Sequence, residues 1–233
     1  MVVSTYRPYF APFAGFFQKV MLSDVLVLLD SVQFPRGTTW LNRNRFKNDQ
    51  GTYWMTVPVW KKGLGLQKIN EVRIYREGTW AVKHLASLKS AYANAPFFEE
   101  HEPFFEGLFS DIPELLVDMN LAVFTHIMDF LEIQTKVVLL SELGITSREP
   151  DLSRTICGEL GADCFLAQAS AAKYLPGELF DGQGIELKFF RARPIVYPQL
   201  WGQFIGNLSV LDPIFTCGPG ARRVLENALP ELR

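Results

Sequence analysis

Hydrophobic positions in this chain alternate between two periods, and the alternation predicts its architecture. "VVS" at Val2–Ser4 reads as a short buried strand. Pro8 and Pro12 then hold an irregular aromatic turn. Phe13, Phe16, Phe17, Val20 and Met21 recur at helical spacing and predict a first helix to about Leu22. Val25–Leu29 is an unbroken aliphatic run, the pattern of a strand buried on both faces of a parallel sheet. Further on, "TYWMTVPVW" and "INEVRIY" flank a glycine-containing loop, "KKGLGLQK", and are expected to pair as an antiparallel flap. Helical patterns follow at Trp80–Ala93, Pro103–Val117 and Leu121–Leu131, with Asn120 a candidate N-cap for the last. "KVVLLS", "CFLAQA" and "GIELKFF" then read as strands, with "DLSRTICGELG" as a helix closed by Gly161. The expected fold is α/β: a Rossmann-like, mostly parallel sheet flanked by helices in a single domain over residues 1–233. An antiparallel β flap (about 40–76) and a helical segment (about 79–133) are inserted into it.

Ligands of open α/β sheets bind beyond the carboxyl ends of the strands. The expected strand ends deliver Tyr6 and Arg7, then Asp30 and Gln33, then Ser141, then Gln168 and Ser170 to one edge. Asp30 is either a functional carboxylate on that rim or a structural group that caps a turn or pairs with Arg43.

Composition narrows the class. Hydrophobic residues make up 48% of the 233 and charged residues 21%, enough to bury a sizeable core. A net charge of −2 argues against a general nucleic-acid surface. The start "MVVSTYRPYF" lacks the regions of a signal peptide, and the longest aliphatic run is too short to cross a bilayer, so the cytoplasm is the expected compartment. Cys157, Cys164 and Cys217 are odd in number and lack paired spacing, and three scattered histidines give no ligand motif, so no metal site is expected.

Three stretches carry a family resemblance. "PYFAPFAGFFQKVMLSDVLVLLDSVQFPRGTTWLNRNRFKNDQGTYWMTVPV" looks like the N-terminal signature of the WbqC-like proteins, with "LDSVQF", "RNRFK" and "WMTVPV" in order. "KHLASLKSAYANAPFF" and "YPQLWGQFIGNLSVLDPIFTCGPG" look like the helix and C-terminal segments of that family. Where the family commonly has His-Gln-Pro, this chain has Tyr6-Arg7-Pro8, which implies a different substrate or a different contact to it. The resemblance implies work in glycoconjugate or surface polysaccharide (O-antigen) biosynthesis, as a transferase of an acyl or aminoacyl group, such as glycyl, onto an amino sugar or similar polar amine. The alternatives are a non-catalytic protein that holds a sugar-nucleotide or a partner biosynthetic enzyme, and an ATP-dependent adenylate-forming ligase. The ligase rests on fold analogy to pantothenate-synthetase-like enzymes, whose nucleotide-binding histidine has no counterpart in Phe10–Phe17. The cofactor is not identified: an acyl or aminoacyl donor follows from the transferase reading, and ATP with magnesium is the lesser alternative.

Transfer to an amine needs a base, oxyanion donors and a grip on an anionic or sugar-linked substrate. Asp30 and His84 are the candidate catalytic groups. His84 could instead be a half-buried histidine packed on Trp80, one turn away. Arg43 and Lys47 could hold phosphate or carboxylate. Gln33, Asn42, Asn44 and Gln199 suit sugar hydroxyls. Tyr197 and Trp201, interleaved with amides, could form a stacking platform, while Asp212 reads as a helix N-cap. His101 sits among glutamates and reads as solvated, and Cys217 reads as a small packed thiol rather than a nucleophile.

Overall fold

The computed structural model describes residues 1–230. In chain order the elements begin with β1 (Val2–Tyr6), α1 (Ala14–Met21) and β2 (Val25–Leu28). A hairpin of β3 (Arg43–Asn48) and β4 (Gly51–Thr56) leads to α2 (Trp80–Tyr92), α3 (Phe98–Ser110) and α4 (Leu116–Phe130). The chain then returns through β5 (Lys136–Leu139), α5 (Asp151–Leu160), β6 (Cys164–Gln168), α6 (Glu178–Asp181) and β7 (Glu186–Phe190), and ends with α7 (Leu211–Cys217) and α8 (Gly220–Glu226).

Five strands form one sheet in the order β5-β2-β1-β6-β7, every neighbouring pair parallel. Its apolar runs have a simple cause: successive side chains on a strand point to opposite faces. In β2, Val25 and Val27 enter one core with Ile156, Phe165 and Phe180. Leu26 and Leu28 enter the other, with Phe16, Phe17 and the helices α2–α4. The sheet is thus covered on both faces, as an all-parallel sheet requires. Gly161 closes α5 at φ 66°, a left-handed conformation that glycine adopts without a Cβ clash.

Three local expectations fail. The partner of "TYWMT" is not "INEVRIY" but the segment before it: Arg43 pairs with Thr56, Arg45 with Trp54 and Lys47 with Thr52. Residues Ile69–Glu71 form a 3-10 turn, and the expected pairing survives only in its second half. There Val59 bridges Ile74 antiparallel, with the Trp60 N–H donating to the Arg73 carbonyl and the Tyr75 N–H to the Pro58 carbonyl. Helix α3 begins at Phe98 and carries Pro103 inside it, past the first turn, so the Glu99 carbonyl goes without its i→i−4 donor. Asn120 is not a cap but lies inside α4, fully buried. Its amide donates to the carbonyls of Pro8 and Leu41, both at 2.7 Å, and so pins the aromatic turn and the hairpin entry to the helix. No helix among the described residues is long and apolar enough to cross a membrane.

Candidate functional site

A cleft of about 710 Å³ opens beyond the carboxyl ends of β1, β2 and β5. That volume suits a small-molecule ligand. Arg7 follows β1, Ser31, Val32 and Gln33 follow β2, and Ser141 follows β5; all line it. The flap's return limb adds Leu66, Gln67, Lys68 and Asn70, and the loop into α5 adds Ser147, Arg148 and Glu149. Leu29, Leu140 and Leu152 supply an apolar wall.

Asp30 lies beneath this cleft and is only 2% exposed. Oδ1 accepts the Ser141 N–H at 2.9 Å, and Oδ2 accepts the Ser141 hydroxyl at 2.5 Å and the Asn70 amide at 3.3 Å. The Asp30 carbonyl also accepts the Asn70 N–H at 2.8 Å. One carboxylate therefore joins the ends of β2 and β5 to the flap. Charge-assisted bonds of this kind are the strong ones, so Asp30 sets the position of two lining side chains. It makes no pair with Arg43, whose guanidinium lies 3.7 Å from the centre of the Trp54 ring.

At the crevice between β1 and β6, where the direction of strand succession reverses, the Gln168 amide donates to the Tyr6 hydroxyl. The Tyr6 ring stacks on Phe16 at 4.1 Å, and burial pushes its phenol far above the usual range. Tyr6 and Gln168 therefore bond to each other, and the next residue, Arg7, is the one exposed to the cleft. Ser170 is exposed on a 3-10 turn and does not line the cleft.

Several expected ligand-binding side chains hold the hairpin to its neighbours instead. Asn42 donates to the Val57 carbonyl at 2.9 Å, and Asn44 to the carbonyls of Phe10 and Ala11. Lys47 is 2% exposed and donates to Gln199 Oε1 at 3.0 Å and the Gln203 carbonyl at 2.7 Å. Gln199 in turn donates to the Tyr197 hydroxyl and the Ile205 carbonyl. Tyr197 is buried, and the Trp201 indole donates to the Ala91 carbonyl, so this stretch is a strap across the hairpin rather than an open platform. Asp212 does not cap α7 but lies within it, buried, accepting from Tyr92 at 2.8 Å; burial raises its carboxyl, and both tyrosine hydroxyls and Lys47 oppose that rise.

The histidines also sit apart from the cleft lining. His84 packs edge-on against Trp80, with Nε2 2.9 Å from the Thr56 carbonyl, and burial lowers its pKa. His101 is not solvated: it is buried, with Nδ1 2.9 Å from Nε2 of His126. Burial pushes the Cys217 thiol up, which suits packing and not nucleophilic attack.

The pattern along the chain did not single out Lys68, Asn70, Ser147, Arg148 or Glu149. The one signal, and only for the last three, was "GITSREP", a polar segment beginning at Gly144 in the loop between β5 and α5. Glu149 Oε1 accepts the Ser153 hydroxyl at 2.7 Å and Oε2 the Ser153 N–H at 3.2 Å, near the start of α5. Glu149 is exposed at the cleft mouth, yet desolvation of its carboxyl group raises its pKa above the ordinary 4.5, with both Ser153 bonds opposing. Among the described residues no cluster of His, Cys, Asp and Glu fits a metal ion.

A protein-family model, described as the WbqC-like protein family, matches residues 7–224. A relative from Mycobacterium tuberculosis (strain ATCC 25618 / H37Rv), the uncharacterized protein Rv1507c, is 29% identical over 215 residues, covering 91% of this chain and 92% of its own length. No solved structure gives a match.

Proposed function

Given that this chain belongs to the WbqC-like protein family, we propose that it is a transferase of glycoconjugate or surface polysaccharide biosynthesis. It moves an acyl or aminoacyl group, glycyl among the candidates, onto the amine of an amino sugar or similar acceptor. The observation that carries this reading is the position of the cleft, beyond the carboxyl ends of three parallel strands, with a polar floor fixed by Asp30.

In the proposed reaction the acceptor nitrogen attacks the donor's activated carbonyl. An N–C bond forms, the donor's C–O or C–S bond breaks, and the amine proton must leave. Glu149 is the lining carboxylate able to take it: each oxygen holds one Ser153 bond and keeps a free lone pair, and local desolvation of the carboxyl raises its basicity. Ser147, whose hydroxyl has no partner in the protein, and the second N–H of the Asn70 amide are the donors able to steady the developing oxyanion, since both Ser141 donors are held by Asp30. Asp30 acts through Ser141 and Asn70 as a positioning residue. His84, on α2 against the end of β4 and outside the cleft lining, has no part in this scheme.

A recognition role without turnover is the second reading. It is favoured by an exposed aromatic pair on the hairpin side, Trp40 and Trp54, 41% and 43% exposed with ring centres 5.4 Å apart. The adenylate-forming analogy gains nothing comparable. At the start of α1, where such a core would cradle phosphate, a Cβ on Gly15 would meet the Ala192 side chain at 2.4 Å, so the chain itself fills that space.

Mass-spectrometric screening of amino-sugar acceptors against acyl and aminoacyl donors tests the reading. A product is expected, with Glu149→Gln lowering kcat/KM by about 100-fold and removing an acid limb from its pH profile. Full activity in that variant removes Glu149 as base, and no product across the donor set favours the recognition role.

A further inference from the structure

We infer that the cleft is built for a ligand carrying a pyrophosphate diester, held between Arg7, Lys68 and Arg148. This deepens the reading of the cleft as the substrate site and rests on it.

The argument begins with charge. The chain carries a net charge of −2, yet the cleft lining holds three cations against one carboxylate, Glu149. The cations arrive from three separate places: the end of β1, the return limb of the flap and the loop before α5. None of the three forms an ion pair among the described residues. The neighbouring carboxylates bond elsewhere, Glu149 to Ser153 and Asp30 to Ser141 and Asn70, and neither is paired with one of the three cations. The Ser147 hydroxyl, also on the lining, is buried without a hydrogen-bond partner. A buried donor in that state is costly unless a ligand completes it.

These features specify the ligand's chemistry. Two guanidiniums grip adjacent phosphoryl oxygens through paired N–H donors, and a lysine supplies a point charge between them. A single phosphate would use a small part of about 710 Å³. The remaining wall of Leu29, Val32, Leu66, Leu140, Ile145 and Leu152, with the amides of Gln33 and Gln67, suits a body with both apolar and hydroxyl faces. A nucleotide sugar and a coenzyme A thioester share that pyrophosphate-plus-body chemistry. The first would place the acceptor here and the second the donor.

Isothermal titration of the full chain with inorganic pyrophosphate, UDP-glucose and coenzyme A tests the inference. Saturable binding that weakens with salt is expected. It should fall about tenfold or more in Lys68→Ala and in Arg148→Glu, with melting temperature unchanged, and stay the same in the surface control Arg73→Ala. Tighter binding of UDP-glucose assigns the acceptor side, and tighter binding of coenzyme A the donor side. No binding of any of the three, or binding untouched by both cleft variants, overturns the inference. Binding that behaves as expected while no donor–acceptor pair gives product would sink the transferase reading and leave the anion site standing.

Discussion

Asp30 has its two carboxylate oxygens filled by Ser141 and Asn70 before any substrate arrives. Its identity and its place after a buried strand are legible in the sequence; its partners, 40 and 111 residues away, are not. Asp30→Ala should therefore cost stability, about 1–3 kcal/mol, because the Ser141 N–H loses its acceptor in a part-buried site. Urea denaturation measures it, and an unchanged midpoint would show that water replaces the carboxylate freely. Asp30→Asn keeps the shape but offers an amide donor to groups that are themselves donors, so it should fall between wild type and alanine. Glu149 shows the opposite case, an ordinary loop glutamate by sequence, exposed at the cleft mouth, whose carboxyl group is desolvated enough beside Ser153 to have a raised pKa.

At the scale of elements, the hairpin and α4 show how local pattern loses to partners. "RNRFKN" reads as a cluster of binding groups because it is polar, yet it is the strand that "GTYWMT" needs, and its Asn44, Phe46 and Lys47 are buried. Asn120 shows the same effect: a good capping residue by type, placed in mid-helix to satisfy two carbonyls of a turn. Asn120→Leu should destabilise the fold by about 1–3 kcal/mol, read by thermal melting, since both carbonyls would be left in an apolar surround. Helices α3 and α4 also meet through His101 and His126, with Phe104 stacked on His126 at 3.9 Å. Burial lowers the pKa of both, that of His101 to about 4, and a nearby Asp129 partly opposes the fall for His126. A histidine with a depressed folded pKa binds protons more readily when unfolded, so stability is full above about 6.5 and is lost as pH falls toward about 4. Chemical denaturation across that window should show the loss, and His101→Leu should flatten it; an equally steep limb in the variant would place its origin in other groups.

For the whole molecule, the strap over residues 197–207 decides which surfaces are free. Lys47 and Arg45 of the hairpin hold it through the Gln199 side-chain oxygen and the carbonyls of Gln203, Gly206 and Asn207, while Gln199 closes the strap on itself through Ile205. Gln199→Ala removes the bonds to Ile205 in both directions as well as the acceptor for Lys47. Limited proteolysis should then cut within the strap several times faster than in wild type, with the sheet still protected. An unchanged cleavage rate would mean that the Arg45 and Trp201 contacts alone hold it. The strap also explains why the C-terminal aromatics do not form a platform, whereas Trp40 and Trp54, outside its cover, remain exposed.

The chain's own pattern determined the sheet, its flanking helices and the edge at which the cleft opens. Those depend on periodicity and on short-range βα succession, which a linear sequence records directly. Arg7, Gln33 and Ser141 were readable as residues of the cleft lining because a strand end fixes where the next residue goes. Tertiary structure alone decided which polar groups face the cleft and which are consumed inside the protein. A buried amide or ammonium must find partners wherever the fold supplies them. Asn42, Asn44, Lys47 and Gln199 found theirs in carbonyls and side chains of distant segments, which left Lys68, Arg148 and Glu149, unremarkable in the sequence, to line the cleft.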